Sequence, residues 1–385
     1  MMIVWIPVGI ALIVLIQQLL FRKFWDRNLT VRFTFDDHPV TEGESTFLEE
    51  VVTNRKRLSL HLLQVQFQLG RGLHIQGNAN ASVTDRSNCV EYYSLRGCEQ
   101  LTRRIEVACM QRGYYQILRT TLLAPGLLSS SQQIRYLPQA TSLYVFPKLL
   151  DAPDVTAAFE HLLGDVLSKK YLYPDVFTFR GIREYAPTDP MSAINQKASA
   201  RYGRPMVNLR DYTAGQEICI LLNLEQPAIR FDRELPEEGI RLAYSLAALL
   251  IEKKLPVSLK TTGRDILAPE AKEDAGEEAY TGEISVASGS SKEHLRSIAE
   301  GLARIDTEKA VRNFDGVVRV IAERQNDNAV TYLLVSSARG EVLIEAVAQL
   351  AERQGGLFWL APLERDMPDI PMPACVNFFR MARQV

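Results

Sequence analysis

The stretch EICILLNL, from Glu217 to Leu224, decides how the second half of the chain folds. It is a continuous apolar run of strand length, which is typical of a strand that a parallel sheet buries on both faces. Strand and helix patterns then alternate as far as LFWLAP at Leu357–Pro362. This alternation predicts an α/β domain over residues 213–366, built as a doubly wound parallel sheet with helices on both faces.

The first half of the chain has a different period. LTVRFTF (Leu29–Phe35) alternates apolar and polar residues, and further short runs such as HLLQVQFQL (His61–Leu69) follow between turn residues. Many short strands without helices between them predict a small antiparallel β-sandwich over residues 28–150. Residues 151–212 then hold a helix and a polar segment, and residues 367–385 form a Pro-broken tail.

The N-terminus begins with MMIVWIPVGIALIVLIQQLLF, Met1–Phe21, which carries no charge. This length is close to the roughly 20 residues that cross a bilayer as a helix, so it predicts a transmembrane anchor over residues 1–24. A secretory signal peptide is the alternative, but it would have positive charge before the apolar run and a small-residue cleavage site after it. Because Arg22, Lys23 and Arg27 follow the span, we expect a single-pass protein of the cell membrane with cytoplasmic soluble domains.

Composition and motifs exclude several function classes. The 385 residues are 46% hydrophobic and 23% charged, with a formal net charge of −2, which gives no reason to expect nucleic acid as a partner. The five Cys form no CxxC pair, so the sequence predicts no zinc site and no cofactor. It contains no GxSxG, GxxxxGK[ST] or HExxH motif, and its five His are scattered. We therefore expect a protein that is not an enzyme.

A polar, aperiodic segment, FRGIREYAPTDPMSAINQKASARYGRPMVNLRDY, runs from Phe179 to Tyr212 between the two predicted domains. Arg183 and Arg201 can each bind a carboxylate through two hydrogen bonds, and Asp189 is a suitable partner. One interpretation is a strap held on a neighbouring domain by such pairs and by the Tyr185 ring. The other is a ligand or partner site that uses the same arginines.

The same segment resembles the signature of the domain-of-unknown-function-58 family, bacterial proteins with a von Willebrand factor A-like domain. The matching residues are Arg183, Glu184, Tyr185, Asp189, Pro190, Ile194, Lys197, Ala198, Ser199, Ala200, Arg201, Met206 and Val207. QRGYYQI (Gln111–Ile117) and YVFPKLLD (Tyr144–Asp151) also look like family passages, so the resemblance covers essentially the whole chain. The chain departs from the family at Gln196, where the family has Trp, and in showing one N-terminal span where members often have two.

The resemblance implies a von Willebrand factor A-like fold for the α/β domain. Such domains often bind Mg²⁺ or Mn²⁺ through an Asp-x-Ser-x-Ser motif after the first strand, assisted by later loops. Here Asn223, Glu225 and Pro227 occupy the motif positions, and Ser336 follows a later strand. Because Pro227 has no side-chain oxygen, we expect a degenerate site without metal; a weak site made by Asn223, Glu225 and Ser336 is the alternative.

Together these features predict a membrane-anchored, non-enzymatic interaction or scaffold protein whose A-like domain recruits a protein partner. The resemblance implies a MoxR-type AAA+ ATPase as that partner, in a chaperone-like or assembly role. A metal- or ligand-dependent adhesion or receptor module is the alternative. The candidate partner-binding or structural residues are Arg183, Glu184, Tyr185, Asp189, Lys197 and Arg201.

Overall fold

The computed structural model describes most of the chain and divides it into two compact units, Met1–Lys148 (unit 1) and Leu149–Val385 (unit 2). The described residues are 2–36, 38–75, 82–83, 87–126, 132–151, 153–172, 174–187, 191–212, 217–225, 234–268, 283–307, 313–324, 330–354, 356–363 and 370–382.

Unit 1 begins with a helix, and strands follow. The elements are α1 (Met2–Phe24), β1 (Leu29–Phe35), β2 (Val40–Thr41), β3 (Ser45–Asn54), β4 (Leu60–Leu69), β5 (Leu73–Ile75), β6 (Ser82–Val83), β7 (Ser87–Leu95), β8 (Glu99–Cys109), β9 (Gly113–Pro125) and β10 (Gln132–Phe146). They form a four-stranded sheet in the order β1-β3-β8-β5 and a six-stranded sheet in the order β2-β10-β9-β4-β7-β6.

The two sheets of unit 1 share one apolar core. Strand β1 shows the cause, because its residues alternate between buried and exposed along its whole length. Phe33 of β1 packs against Phe67 of β4 with ring centroids 4.7 Å apart, which joins the two sheets. Strands β2 and β10 of unit 1 pair in parallel, with Val40 beside Val145 and Thr41 beside Phe146.

A buried polar cluster also joins the two sheets. Glu50 of β3 is fully buried, and its Oε2 accepts a hydrogen bond of 2.6 Å from the Tyr93 hydroxyl of β7. Glu91, also on β7, forms an ion pair with Arg103 of β8. Burial raises the pKa of Glu50 to about 7, because the hydrogen bond from Tyr93 and the charge of Arg103 offset only part of the desolvation.

Unit 2 contains helices and strands, and most of the strands form one larger sheet. Its elements are α2 (Pro153–Leu172), β11 (Pro174–Glu184), a 3₁₀ turn (Met191–Ala193), α3 (Gln196–Tyr202), β12 (Met206–Tyr212), β13 (Glu217–Leu222), α4 (Glu234–Glu252), β14 (Val257–Asp265), β15 (Glu283–Gly289), α5 (Lys292–Ala303), β16 (Ile305–Asp306), α6 (Phe314–Arg324), β17 (Val330–Val335), α7 (Glu341–Gln354), β18 (Leu357–Leu363) and β19 (Val376–Ala382). Strands β11 and β12 pair separately from the seven-stranded sheet β15-β14-β13-β17-β18-β19, in which β16 also pairs with β14.

Strand β13 lies inside the larger sheet and is buried on both faces. Ile220 on one face belongs to an apolar cluster with residues of α2, α4 and α5. Leu221 on the other face belongs to a second cluster with residues of α6 and α7. The apolar run that begins at Ile218 is therefore continuous because neither face of this strand meets water.

The prediction of a doubly wound parallel sheet is wrong, because the sheet is mixed. Strand β15 pairs antiparallel with β14 at the edge, and β16 pairs antiparallel with β14 as well. Hydrophobic periodicity shows that a strand is buried, but it does not fix the direction in which an edge strand runs. Much of the described chain lies in strands of several separate sheets, so the chain is β-rich overall.

The predicted transmembrane anchor at Met1–Phe21 is also wrong. In the part of the chain that the structure describes, no helix combines the length and apolar character that a bilayer crossing requires. Gln17 and Gln18 interrupt the apolar run of α1, and the charged residues Arg22 and Lys23 lie in its last turn. The single-pass membrane location that depended on this anchor is corrected with it.

Replacing Glu50 with Gln is expected to remove a pH dependence of unit 1 stability. Between about pH 4.5 and pH 7, folded wild type keeps a proton on Glu50 that the unfolded chain has released. The free energy of unfolding therefore falls as the pH rises through this window, by about 3 kcal/mol in total, and the amide variant has no such group to titrate.

Limited proteolysis in urea at several pH values, with unit 1 peptides quantified by mass spectrometry, measures this slope. The control is Glu49→Gln, because Glu49 is exposed on the opposite face of β3. An equal pH slope in the wild type and in the Glu50→Gln variant contradicts the assignment.

Candidate functional site

The ends of β13 and β17 bring two predicted site residues together. Asn223 follows β13 and is 4% exposed, and Ser336 follows β17 and is fully buried. The Asn223 side-chain amide donates to the Ser336 hydroxyl at 3.1 Å, and that hydroxyl donates to the Ala338 carbonyl at 3.0 Å. The two side chains meet because β13 and β17 are parallel neighbours whose carboxyl ends lie at the same edge.

Glu225 is engaged at the same edge. Its backbone N–H donates to the Asn223 side-chain oxygen at 2.9 Å. Its carboxylate Oε1 accepts a hydrogen bond of 2.8 Å from the backbone N–H of Phe314, the first residue of α6. A carboxylate at this position satisfies an N–H group that the helix leaves without an intrahelical partner, and it also interacts favourably with the helix dipole.

These contacts leave few oxygen atoms of Asn223, Glu225 and Ser336 available to bind a hard cation. Such an ion prefers several carboxylate and carbonyl oxygens, whereas Asn223 presents an amide donor to Ser336 and Glu225 serves as a helix cap. Within the described residues, no group of three or more His, Cys, Asp or Glu side chains is placed to bind a metal. Pro227, the remaining predicted position, lies outside the described residues.

The signature segment folds as a small hairpin with a helix between its strands. Strand β11 pairs antiparallel with β12, with Arg183 opposite Val207 and Glu184 opposite Met206. The backbone N–H of Tyr185 continues the pairing by donating to the Pro205 carbonyl at 3.0 Å. Helix α3 lies between the strands in sequence and ends at Gly203, whose φ of 68° is in the left-handed region that glycine adopts without strain.

Two polar side chains hold α3 against β12. The Asn195 side chain accepts from the Ala198 N–H at 2.9 Å and donates to the Asn208 side chain at 2.7 Å. The Ser199 hydroxyl donates to the Asn195 carbonyl at 2.7 Å and accepts from the Met206 N–H at 2.8 Å. An amide, a hydroxyl and backbone groups therefore contribute to the order of the described part of this segment.

The charged signature residues lie at the surface. Arg183, Glu184, Lys197 and Arg201 are exposed, and Tyr185 is half-buried. Arg183 donates to the carbonyl of Glu184, whose carboxylate forms an ion pair of 3.0 Å with Arg204. Asp189, the carboxylate that the strap interpretation suggested as a partner for Arg183 and Arg201, lies outside the described residues.

The sequence interpretation gave no role to Asn195 or to the Ser199 hydroxyl. A signal for the first was present, because Asn directly before a helical stretch is a preferred N-cap residue. The second had no such signal: Ser199 reaches Met206 only because the chain reverses at Gly203.

Buried cysteines are not activated for nucleophilic chemistry. Burial raises the pKa of the Cys89 thiol to about 12 and that of Cys109 to about 11. Burial also raises the pKa of Cys219, on β13. These three side chains therefore remain protonated thiols at neutral pH, and a thiol is a much weaker nucleophile than a thiolate.

Neither a family model nor a curated protein matches this chain. Among solved structures, a PapD-like domain of human CEP192 is 12% identical, with 31% of this chain covering 87% of that chain at a TM-score of 0.19. Domains D2 and D3 of the major pilin SpaD from Corynebacterium diphtheriae are 10% identical, with 28% of this chain covering 49% of that chain at a TM-score of 0.21. The CARDB domain of the Pyrococcus furiosus PF1109 protein is 13% identical, with 29% of this chain covering 93% of that chain at a TM-score of 0.17.

Such weak likenesses to β-rich domains carry no conclusion about the function of this chain. None of these three structures is a von Willebrand factor A-like domain.

Replacing Asn223 with Asp is expected to destabilise unit 2 by about 1–3 kcal/mol, because a carboxylate cannot donate to Ser336 and its charge would be buried. Urea unfolding with and without MgCl₂, followed through unit 2 peptides, measures the loss. Asn208→Asp is the matched control, because the oxygen of Asn208 that accepts from Asn195 is retained. Stabilisation of the wild type itself by MgCl₂ would contradict the absence of a metal site at this edge.

Replacing Asn195 with Ala is expected to loosen the signature by about 1 kcal/mol, the typical contribution of an N-cap residue. Hydrogen exchange of peptides that cover α3 and β12 should become about fivefold faster, whereas Gln196→Ala, at an exposed position, leaves it unchanged. Unchanged exchange in the Asn195 variant would show that other contacts order the segment.

Proposed function

We propose that this chain is a non-enzymatic interaction protein that recruits a protein partner through the exposed face of its signature hairpin. The observation that carries the proposal is that the side chains of Lys197 and Arg201 are exposed and form no ion pair within the described residues. Both lie on α3, one turn apart. A face that holds two cations without internal partners is suited to an acidic protein surface.

The same segment also exposes apolar side chains. Met191 is 80% exposed and Tyr202 is 58% exposed. Methionine and tyrosine are enriched where proteins bind one another, and interfaces commonly combine such side chains with charges that select the partner. Asn195 and Ser199 contribute to the fold of the hairpin, and among the described residues neither cation is used in an ion pair, so both can contact a partner.

The sequence resemblance suggests the class of the partner. Because the signature resembles that of the domain-of-unknown-function-58 family, we propose a relation to that family and, with it, a MoxR-type AAA+ ATPase as the partner. The role would be chaperone-like or in assembly. The closed hydrogen-bond network of Asn223, Glu225 and Ser336 gives no support to the alternative of a metal-dependent adhesion module.

Reversing the charge of α3 is expected to abolish capture of the partner. The double variant Lys197→Glu, Arg201→Glu keeps Asn195 and Ser199, so it should fold, and thermal unfolding checks this. The measurement is a pull-down with the tagged full chain, with and without ATP, and mass spectrometry of the retained proteins. We expect the wild type to retain an AAA+ ATPase and the double variant to lose it, by at least tenfold for two interfacial charges.

The matched control is Lys253→Glu, which reverses another exposed cation of unit 2 outside the signature. This variant should retain the ATPase as the wild type does. If no AAA+ ATPase is retained by the wild type, the proposed partner is wrong. If the double variant retains it at the wild-type level, the signature is not the docking surface.

A further inference from the structure

Unit 1 contains a groove between α1 and the strands beside it. Its volume is about 710 Å³, which lies within the usual range for small-molecule sites of ~300–1,000 Å³. One wall comes from α1, and the opposite wall comes from the start of β4, the turn before it and the end of β9. The lining residues include Leu20, Phe21, Phe24, Arg57, Leu58 and Leu62.

The walls of this groove are apolar and open to solvent. Leu20 is 52% exposed, Leu58 is 40% exposed and Leu62 is 48% exposed, although each faces the same groove. Phe21 closes one side by packing partly against the core of unit 1. Binding of an alkyl chain in such a groove is favourable, because it removes apolar surface of both the groove and the chain from water.

The rim of the groove is cationic. Arg57 lines it, is exposed and forms no ion pair within the described residues, and His61 lies beside it. No carboxylate is among the lining residues, and the nearby Asp26 already pairs with Arg135 at 3.4 Å.

Lys23 in the last turn of α1 and Arg27, just after the helix, add positive charge. The guanidinium of Arg27 lies 4.8 Å from the centre of the Phe24 ring, and the ammonium of Lys23 lies 5.9 Å from it. A ligand that enters this groove therefore meets apolar walls and a rim whose charge is positive.

We propose that this groove binds one molecule of a long-chain carboxylate, that is, a fatty acid. Its alkyl chain lies between α1 and Leu62, and its carboxylate pairs with the guanidinium of Arg57. The ligand is amphiphilic, because its alkyl chain removes the apolar walls from water and its anionic head group pairs with the exposed guanidinium of Arg57. The carboxylate is the head group that one guanidinium binds best through two parallel hydrogen bonds.

Titration of the full-length chain with dodecanoate, below the concentration at which it forms micelles, tests the proposal. Dodecanol is the uncharged probe of the same chain length. We expect saturable binding by calorimetry with a stoichiometry of one, and tighter binding of dodecanoate than of dodecanol. Arg57→Gln should weaken dodecanoate binding about tenfold and leave dodecanol unchanged, because the variant loses the charge-assisted hydrogen bonds to the carboxylate and keeps the apolar walls.

Two matched controls separate the groove from general effects of charge and hydrophobicity. Arg55→Gln removes an exposed cation from the same turn but outside the groove, and it should bind dodecanoate as the wild type does. Leu62→Gln should weaken both probes. Leu118→Gln, at a 66% exposed position outside the groove, should weaken neither.

Three results overturn the proposal. The first is the absence of saturable dodecanoate binding to the wild type. The second is equal affinity of the wild type for dodecanoate and dodecanol, or an equal loss of dodecanoate affinity in the Arg55 and Arg57 variants. Either result would show that the carboxylate does not pair with Arg57. The third is a loss in the Leu118 variant as large as that in the Leu62 variant, which shows that adsorption to exposed apolar surface explains the binding.

Discussion

Desolvation of β13 on both faces is the constraint on which unit 2 depends. Its residues from Ile218 to Leu222 are at most 2% exposed, and burying each Ile or Leu stabilises the fold by roughly 1.5–3 kcal/mol. Because β13 ends while it is still inside the protein, the next residue, Asn223, is buried as well, and its polar side chain needs hydrogen-bond partners. Ser336 and the backbone of Glu225 supply them, and the polar edge of the sheet follows from the apolar strand.

The interior of unit 2 could be predicted better than its periphery. A continuous apolar run identified β13, and two adjacent parallel strands bring Asn223 and Ser336 to one edge. The antiparallel direction of β15 has no signature in hydrophobic period, and the bond from Phe314 to Glu225 joins residues 89 positions apart. Periodicity records whether a side chain meets water, whereas edge direction and long-range caps depend on the path of the connecting loops.

The signature shows how a polar segment can be ordered without a core of its own. The sequence favoured its arginines as the source of order, because guanidinium and carboxylate groups make the strongest polar pairs. In the described part of the segment, the short side chains of Asn195 and Ser199 contribute to this order, because they reach backbone groups that longer side chains would span only at a larger entropic cost. Asn195 and Ser199 make these contacts, whereas the longer side chains of Lys197 and Arg201 lie at the surface.

The parallel pairing of β2 with β10 has a consequence for how unit 1 forms. Val40 and Val145 lie near opposite ends of the unit 1 sequence, so their pairing closes a loop that contains nearly all of its other strands. The entropy lost on closing so long a loop is offset only after both strands are in place, and contacts of large sequence separation slow folding. Until β10 has been synthesised, the edge of β9 that pairs with β10 has no partner. The longer β10 takes to arrive, the longer unit 1 presents this open edge to other chains, with which it can aggregate.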